Sequence, residues 1–264
     1  MFYVNGNYPS FIKKGQYVSL SAKLKRRDIK KGDLITIEDH PYRVLKRKFN
    51  IAEVLGMENC YASSDGWGIQ YDYPPRTVEF KHGTIGQPYS ESTLDTYLNE
   101  TYYATLSDEL KQAIVPKTIT HDMWTSTPIK PTSGNYYRLT TGSGNAYYYA
   151  LKDTAETLSR NIYAPSLRDI LDYLDTPQNG DFLINDILQM FWNKTEGIAA
   201  EKIWLRSASF VTPRITDYIL QLRTYNGYYI ASENQSSYDK ITSARPVFCV
   251  DLDKITWSHV DEVT

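Results

Sequence analysis

The sequence predicts an α+β domain, and three observations carry that prediction. Two apolar segments, Ile203-Trp204-Leu205-Arg206-Ser207 and Ala244-Arg245-Pro246-Val247-Phe248-Cys249-Val250-Asp251-Leu252, read as strands with an arginine inside each. Tyr218–Leu222 and Tyr228–Ala231 flank Asn226-Gly227, the strongest short signal for a β-hairpin. Between the strand-like ends lie segments with capped starts and helical spacing of apolar residues. A buried arginine is costly unless its fork finds carboxylates or carbonyls. Arg206 and Arg245 are therefore expected to be structural, on two neighbouring core strands where they lock loops in place.

In chain order, residues 1–31 read as an arm. Asn5-Gly6-Asn7-Tyr8-Pro9 and Lys13-Lys14-Gly15 are turn signals with little periodic pattern between them. Leu34–Ile37 and Tyr42–Leu45 flank a turn at Asp39-His40-Pro41 and predict a hairpin. Ile51–Met57 predicts the third strand of a meander. Ser63 to Gly86 is a Gly-, Asp- and Pro-bearing loop, of a length that usually marks function or mobility. Ser92 opens a helix with Leu94, Tyr97 and Leu98 on one face, and Ser107 opens a second that Pro116 ends.

Residues 119–145 read as a further variable region. Thr140-Thr141-Gly142-Ser143-Gly144-Asn145 lacks the third spaced glycine and the lysine of a phosphate loop, so it reads as a hairpin turn between tyrosine-rich strands. Pro165-Ser166-Leu167-Arg168-Asp169 is a helix start with a serine cap and an acid three residues on. Asp181 is expected to cap another helix, with Ile184, Ile187, Leu188 and Phe191 inward. Residues 253–264 read as a short polar tail after a domain spanning 32–252.

Composition narrows the function classes. The 264-residue chain has a net charge of -2 and 23% charged residues, so no global field draws it to nucleic acid. Charge is uneven, however. Lys23–Lys31 is a basic run, and Arg43, Lys46, Arg47 and Lys48 form a second; these read as a solvated surface or as a docking patch for an acidic partner. The start Met1–Gly6 has no basic and apolar leader, and no apolar run reaches the roughly 18 residues of a membrane span. The expectation is synthesis in the cytoplasm without membrane insertion. Cys60 and Cys249 lie far apart in different contexts, compatible with two buried thiols or a single bridge.

Chemistry-bearing patterns are sparse. His40, His82, His121 and His259 are dispersed and form no metal-ligand spacing. His121-Asp122 could form half of an acid–base pair or a turn hydrogen bond. Neither a nucleophile elbow nor a glycosidase-like carboxylate pair is evident. Asn99, Asn193 and Asn234 begin chance sequons. No catalytic residue, metal site or cofactor is expected. The 23 tyrosines against 8 phenylalanines are the unusual count, because tyrosine is overused on recognition surfaces. Adjacent tyrosines on a strand point to opposite faces, so part of each cluster is free to face outward. Trp67, Tyr71, Tyr73, Trp124, Tyr137, Tyr148 and Tyr229 are the candidate ligand-binding residues, since flat rings stack on sugars and anchor protein partners.

The order Tyr42-Arg43-Val44-Leu45, Ser92–Asn99, Ala164-Pro165-Ser166, Trp204-Leu205-Arg206-Ser207 and Arg245-Pro246-Val247-Phe248 resembles a family of bacterial and phage domains with a C-type-lectin-like fold. That family lies near the formylglycine-generating-enzyme-like branch, which includes phage receptor-binding proteins. The resemblance spans about residues 32–252. It implies twisted antiparallel strands flanked by helices, with long loops carrying recognition. The calcium triplets of sugar-binding animal lectins and the reactive cysteine pair of the enzymatic branch have no counterpart here. The function so implied is a non-enzymatic, virion-associated binding protein: a tail, baseplate or capsid-decoration subunit that attaches to a host polysaccharide or protein. Its arm would dock on other virion proteins, and it would assemble as a homo-oligomer. The alternatives are a purely structural decoration protein and, behind it, a formylglycine-generating-type enzyme.

Overall fold

The computed structural model describes residues 29–58, 89–140, 145–191, 202–211, 216–223, 229–234 and 242–260. The chain is α+β. It opens with β1 (Leu34–Ile37), β2 (His40–Lys48) and β3 (Ile51–Gly56), the expected meander. Its first turn is Glu38–Asp39, both at positive φ (51° and 66°), the geometry that matches the twist of a two-residue hairpin. The turn therefore sits one residue earlier than Asp39-His40-Pro41, and His40 and Pro41 begin β2.

Helix α1 starts at Thr93–Thr96, passes through a π-helical turn at Tyr97–Tyr102 and ends with Tyr103–Thr105. The Ser92 hydroxyl accepts the Asp95 amide at 3.0 Å. Helix α2 (Asp108–Ala113) is capped the same way, by Ser107 on the Leu110 amide. Next come β4 (Ile114–Val115), β5 (Lys117–Thr127), β6 (Tyr137–Thr140), β7 (Ala146–Arg160) and β8 (Ile162–Tyr163). Helix α3 (Leu167–Tyr173) begins with the reciprocal Ser166–Asp169 capping box. Then follow β9 (Asp181–Leu183), α4 (Ile184–Phe191), β10 (Lys202–Val211), β11 (Thr216–Arg223), β12 (Tyr229–Asn234), β13 (Thr242–Ser243), β14 (Val247–Asp251) and β15 (Trp257–His259).

Two sheets share one core. The first runs β15-β1-β2-β3-β14-β4, with β8 also on β14, and its described pairs are all antiparallel. The second runs β12-β11-β10-β5-β7-β6-β9, with β13 on β10. This second sheet is mixed: β10 pairs in parallel with β5 and with β13, and β6 with β9. Ile37, Leu55, Leu98, Ile170, Phe191, Leu205 and Phe248 are fully buried in one continuous cluster between the layers.

Four expectations are corrected. The arginine-bearing strands are not neighbours, because β10 lies in the second sheet and Val247–Asp251 in the first. The link between them is short: Thr242 and Ser243 pair with Lys202 and Ile203, and the chain then crosses to the other sheet. The region 119–145 is in part strand: most of β5 and all of β6 occupy it and pair with β7, with irregular chain at 128–136 between them. Its threonines suit a half-buried pleated surface. Asp181 does not cap a helix but pairs with Arg138 as the first residue of β9. The supposed tail returns to the core, where β15 closes the edge beside β1. The arm at 1–28 and the loop at 63–86 lie outside the described residues.

Candidate functional site

The buried charges tie the second sheet to α3 and the two sheets to each other. Arg206 is 2% exposed. Its Nε donates to the Thr120 carbonyl at 2.9 Å and its Nη1 to the Ala164 carbonyl at 2.5 Å. Nη1 also stands 2.7 Å from Asp169 Oδ2, and the guanidinium lies over the Tyr163 ring at 5.2 Å. The backbone of the same strand adds Arg206 N to Pro165 O at 2.8 Å, and Ser207 Oγ accepts the Leu167 amide at 2.9 Å. Trp204–Ser207 therefore staples β10 and β5 to the entry of α3. Arg245 Nη1 donates to the carbonyl of Phe191, the last residue of α4, an acceptor that the helix itself leaves open.

A second buried group crosses the layers. Glu53 on β3, 7% exposed, accepts Lys117 Nζ at 2.5 Å and the Tyr163 hydroxyl at 2.8 Å. Cys249 on β14 is a free thiol 4.0 Å from that hydroxyl. Burial, then the Glu53 charge, pushes the Cys249 thiol up to about 11, so it keeps its proton at neutral pH. Burial and Glu53 likewise raise Tyr163. A cavity of about 380 Å³ opens above this group, lined among others by Lys46, Glu53, Lys117, Asp169 and Asp172.

His121 and Asp122 are both buried in β5, at a bulge, and not in a turn. Asp122 accepts Arg168 Nε at 2.6 Å and the Thr154 and Thr120 hydroxyls at 3.0 and 3.2 Å. Asp95 is gripped by Arg160 through Nε and Nη2 at 2.7–2.9 Å. These carboxylates are committed to cations and hydroxyls, and serve as joints between elements. Among the described residues no group of three or more His, Cys, Asp or Glu is placed to hold a metal ion. No described helix is long and apolar enough to cross a membrane.

The aromatic candidates separate along β6 and β7. Trp124 is 2% exposed and fills the core, so it is not presented to a ligand. Its place in a strand with inward spacing, not in a loop, is the reason. Tyr137 packs edge-on against it at 6.0 Å between ring centroids and is half-buried against the core. Tyr149 is fully buried, and Tyr148, its neighbour, points to the other face. There Tyr148 meets Tyr136 edge-to-face at 5.6 Å. Lys130 Nζ lies 5.7 Å over the Tyr136 ring, and Arg138 pairs with Asp181 of β9 at 2.9 Å. Tyr229 is the first residue of β12, opposite Arg223 on β11 and at the far edge of the sheet from β6 and β9. Trp67, Tyr71 and Tyr73 lie outside the described residues.

The outer face of β6, β7 and β9 is therefore a half-exposed patch of two tyrosines, two cations and one carboxylate. Tyr136, Lys130, Arg138 and Asp181 escape a sequence reading, although Tyr136 neighbours a named candidate. Tyr136 and Tyr137 are adjacent, and only the strand register shows which of the two faces out.

No curated protein and no solved structure matches the chain. A family model matches residues 76–252, taking in every described element from α1 to β14 and leaving β1–β3 and β15 outside it. The chain belongs to that family, described as Domain of unknown function (DUF6273).

Proposed function

We propose that the protein is a non-enzymatic binding protein of a bacteriophage particle, which engages a host-surface polysaccharide through the outer face of β6, β7 and β9. The observation that carries the binding reading is the Tyr136–Tyr148 pair, set edge-to-face between Lys130 and the Arg138–Asp181 ion pair. Tyrosine rings offer apolar faces to sugar C–H groups, and the flanking charges offer hydrogen bonds to hydroxyls. Tyr148 is held on β7, and Tyr136 is tied just before β6 by its amide's bond to Asn179 Oδ1 at 3.1 Å, so little side-chain freedom is lost on binding.

A C-type-lectin-like fold belongs to this proposal. It is supported by the resemblance of the Trp204–Ser207 and Arg245–Phe248 segments and by the α+β layering. So do the particle setting, docking through the N-terminal arm and homo-oligomeric assembly, all of which rest on that resemblance. The absence of enzymatic activity is supported by the commitment of Asp95, Asp122 and Asp169 to arginines and by the protonated Cys249.

The test is binding of the purified chain to host cells and to their isolated surface polysaccharide. Tyr136→Ala and Tyr148→Ala should each weaken binding about tenfold, the loss expected of an aromatic anchor, with the thermal midpoint unchanged. Wild-type binding that both variants retain would place the ligand elsewhere. Saturable binding to stripped particles with none to cells would favour a decoration protein instead.

A further inference from the structure

The described end of the first basic run, Lys30 and Lys31, meets the second run at one end of the first sheet. Arg47 joins them: its Nη1 donates to the Ile29 carbonyl at 3.1 Å and its Nε to the Phe49 carbonyl at 2.8 Å. Phe49 is the first of the two residues that turn β2 into β3, and it is 82% exposed, more than any other described large hydrophobic side chain. Its φ is 56°, a conformation that a bulky side chain rarely adopts and that glycine adopts freely. The turn therefore does not ask for phenylalanine; Arg47 holds only its backbone carbonyl, which any residue would offer. Lys30, Lys46 and Lys48 are exposed around the same tip, while Lys31 is tied to Asp175. Of the acids nearby, Asp33 accepts the Lys30 amide at 2.6 Å and Asp251 accepts Asn50 Nδ2 at 2.6 Å, while Lys46 also borders the cavity that holds Asp172.

We propose that this hairpin tip docks on the anionic headgroups of a lipid membrane, with Phe49 set into the interface and Lys30, Lys46 and Lys48 on the phosphates. The shape chooses the partner. A single ring at the apex of a convex tip buries little against a rigid protein surface. It is, however, well placed to enter a fluid interface. The depression beside it, bounded by Ile29, Lys46, Arg47 and Phe49, is wide open to solvent. Lysines close to an anionic leaflet each add to binding, and their contribution falls within a Debye length. The contact is peripheral, and it is independent of the tyrosine face on β6, β7 and β9.

The experiment is co-sedimentation of the full chain with vesicles of phosphatidylglycerol in phosphatidylcholine, and with phosphatidylcholine alone. Saturable binding to the anionic vesicles only, reversed by high salt, is expected. Phe49→Ala should weaken it about tenfold, and a Lys46→Glu, Lys48→Glu double variant should abolish it. Phe49→Gly separates binding from folding: it should lose binding as Phe49→Ala does, without lowering the thermal midpoint, because glycine suits the turn. Three results would each overturn the proposal. The first is no binding to anionic vesicles, and the second is binding indifferent to Phe49. The third is equal or stronger binding to polyglutamate or duplex DNA, which would assign the basic tip to another class of partner.

Discussion

Arg206 Nη1 stands 2.7 Å from Asp169 Oδ2 and donates to the Ala164 carbonyl at 2.5 Å, so one guanidinium joins β10 to both the approach and the first turn of α3. Removing one partner of a buried pair strands the other charge, at a cost of about 3–5 kcal/mol. Arg206→Met should lower the free energy of unfolding by that amount in a denaturant titration. Combining it with Asp169→Asn should recover part of the loss, since the stranded carboxylate is then gone. Strict additivity of the two substitutions would show that the pair is not coupled.

The same pair sets an acid limit to stability. Burial opposes the Asp169 charge, but Arg206 and Lys117 outweigh it and hold the carboxyl below the usual carboxylate range. A folded-state value below the unfolded one gives stability that is complete above the unfolded pKa of about 3.9 and is lost as pH falls through the folded value. Thermal midpoints measured from neutral pH downward should therefore drop below about pH 4. Asp169→Asn, less stable throughout, should show a shallower drop. Equal slopes for the two proteins would remove Asp169 from the account.

The serine caps, the first meander and the antiparallel pairing of β11 with β12 were legible because their signals are local; the Asn226-Gly227 turn itself lies outside the described residues. Residues three or four apart suffice to specify a cap, and a short turn specifies a register. The long strands β5 and β7 were not legible for a physical reason. Bulges at His121/Asp122 and Met123/Trp124 shift the alternation, so His121 and Asp122 are both buried where a regular strand would expose one. Sheet membership was also hidden. Arg206 and Arg245 announced their need for partners, but nothing in their apolar surroundings says which sheet holds each. The candidate face has the same origin: Arg138 and Asp181 meet across 43 residues through the parallel β6–β9 pair. Glu53 was readable in principle, as an acid inside the apolar run Ile51–Gly56 that must find a cation.

Gly56 gives a steric test of how closely the sheet meets the second arginine segment. Its amide donates to the Pro246 carbonyl at 2.8 Å, and a Cβ built on Gly56 would stand 2.9 Å from Pro246 Cγ and Cδ. The proline ring is fixed to its own backbone, so it yields only if the chain moves. Gly56→Ala should therefore destabilise by about 1–3 kcal/mol, the usual cost of overpacking. Unfolding in denaturant measures it; a neutral result would mean that the 245–246 segment is free to shift.

Cys249 provides a probe of the buried Glu53 group. With the thiol raised to about 11 by burial and by Glu53, only about one molecule in ten thousand carries a thiolate at neutral pH. In a Cys60→Ser background, alkylation of the folded protein should be far slower than in denaturant. Its rate should climb about tenfold per pH unit until the fold gives way. Glu53→Gln removes the nearby negative charge and leaves the Lys117 ammonium beside the Tyr163 ring, 5.5 Å from its centroid. The thiol of that variant should titrate lower and react faster at neutral pH, in the absence of denaturant. Rates for Glu53→Gln equal to those of the parent would show that burial alone sets the reactivity of Cys249. The charge that crosses from β3 to β14 would then have no hold on the thiol.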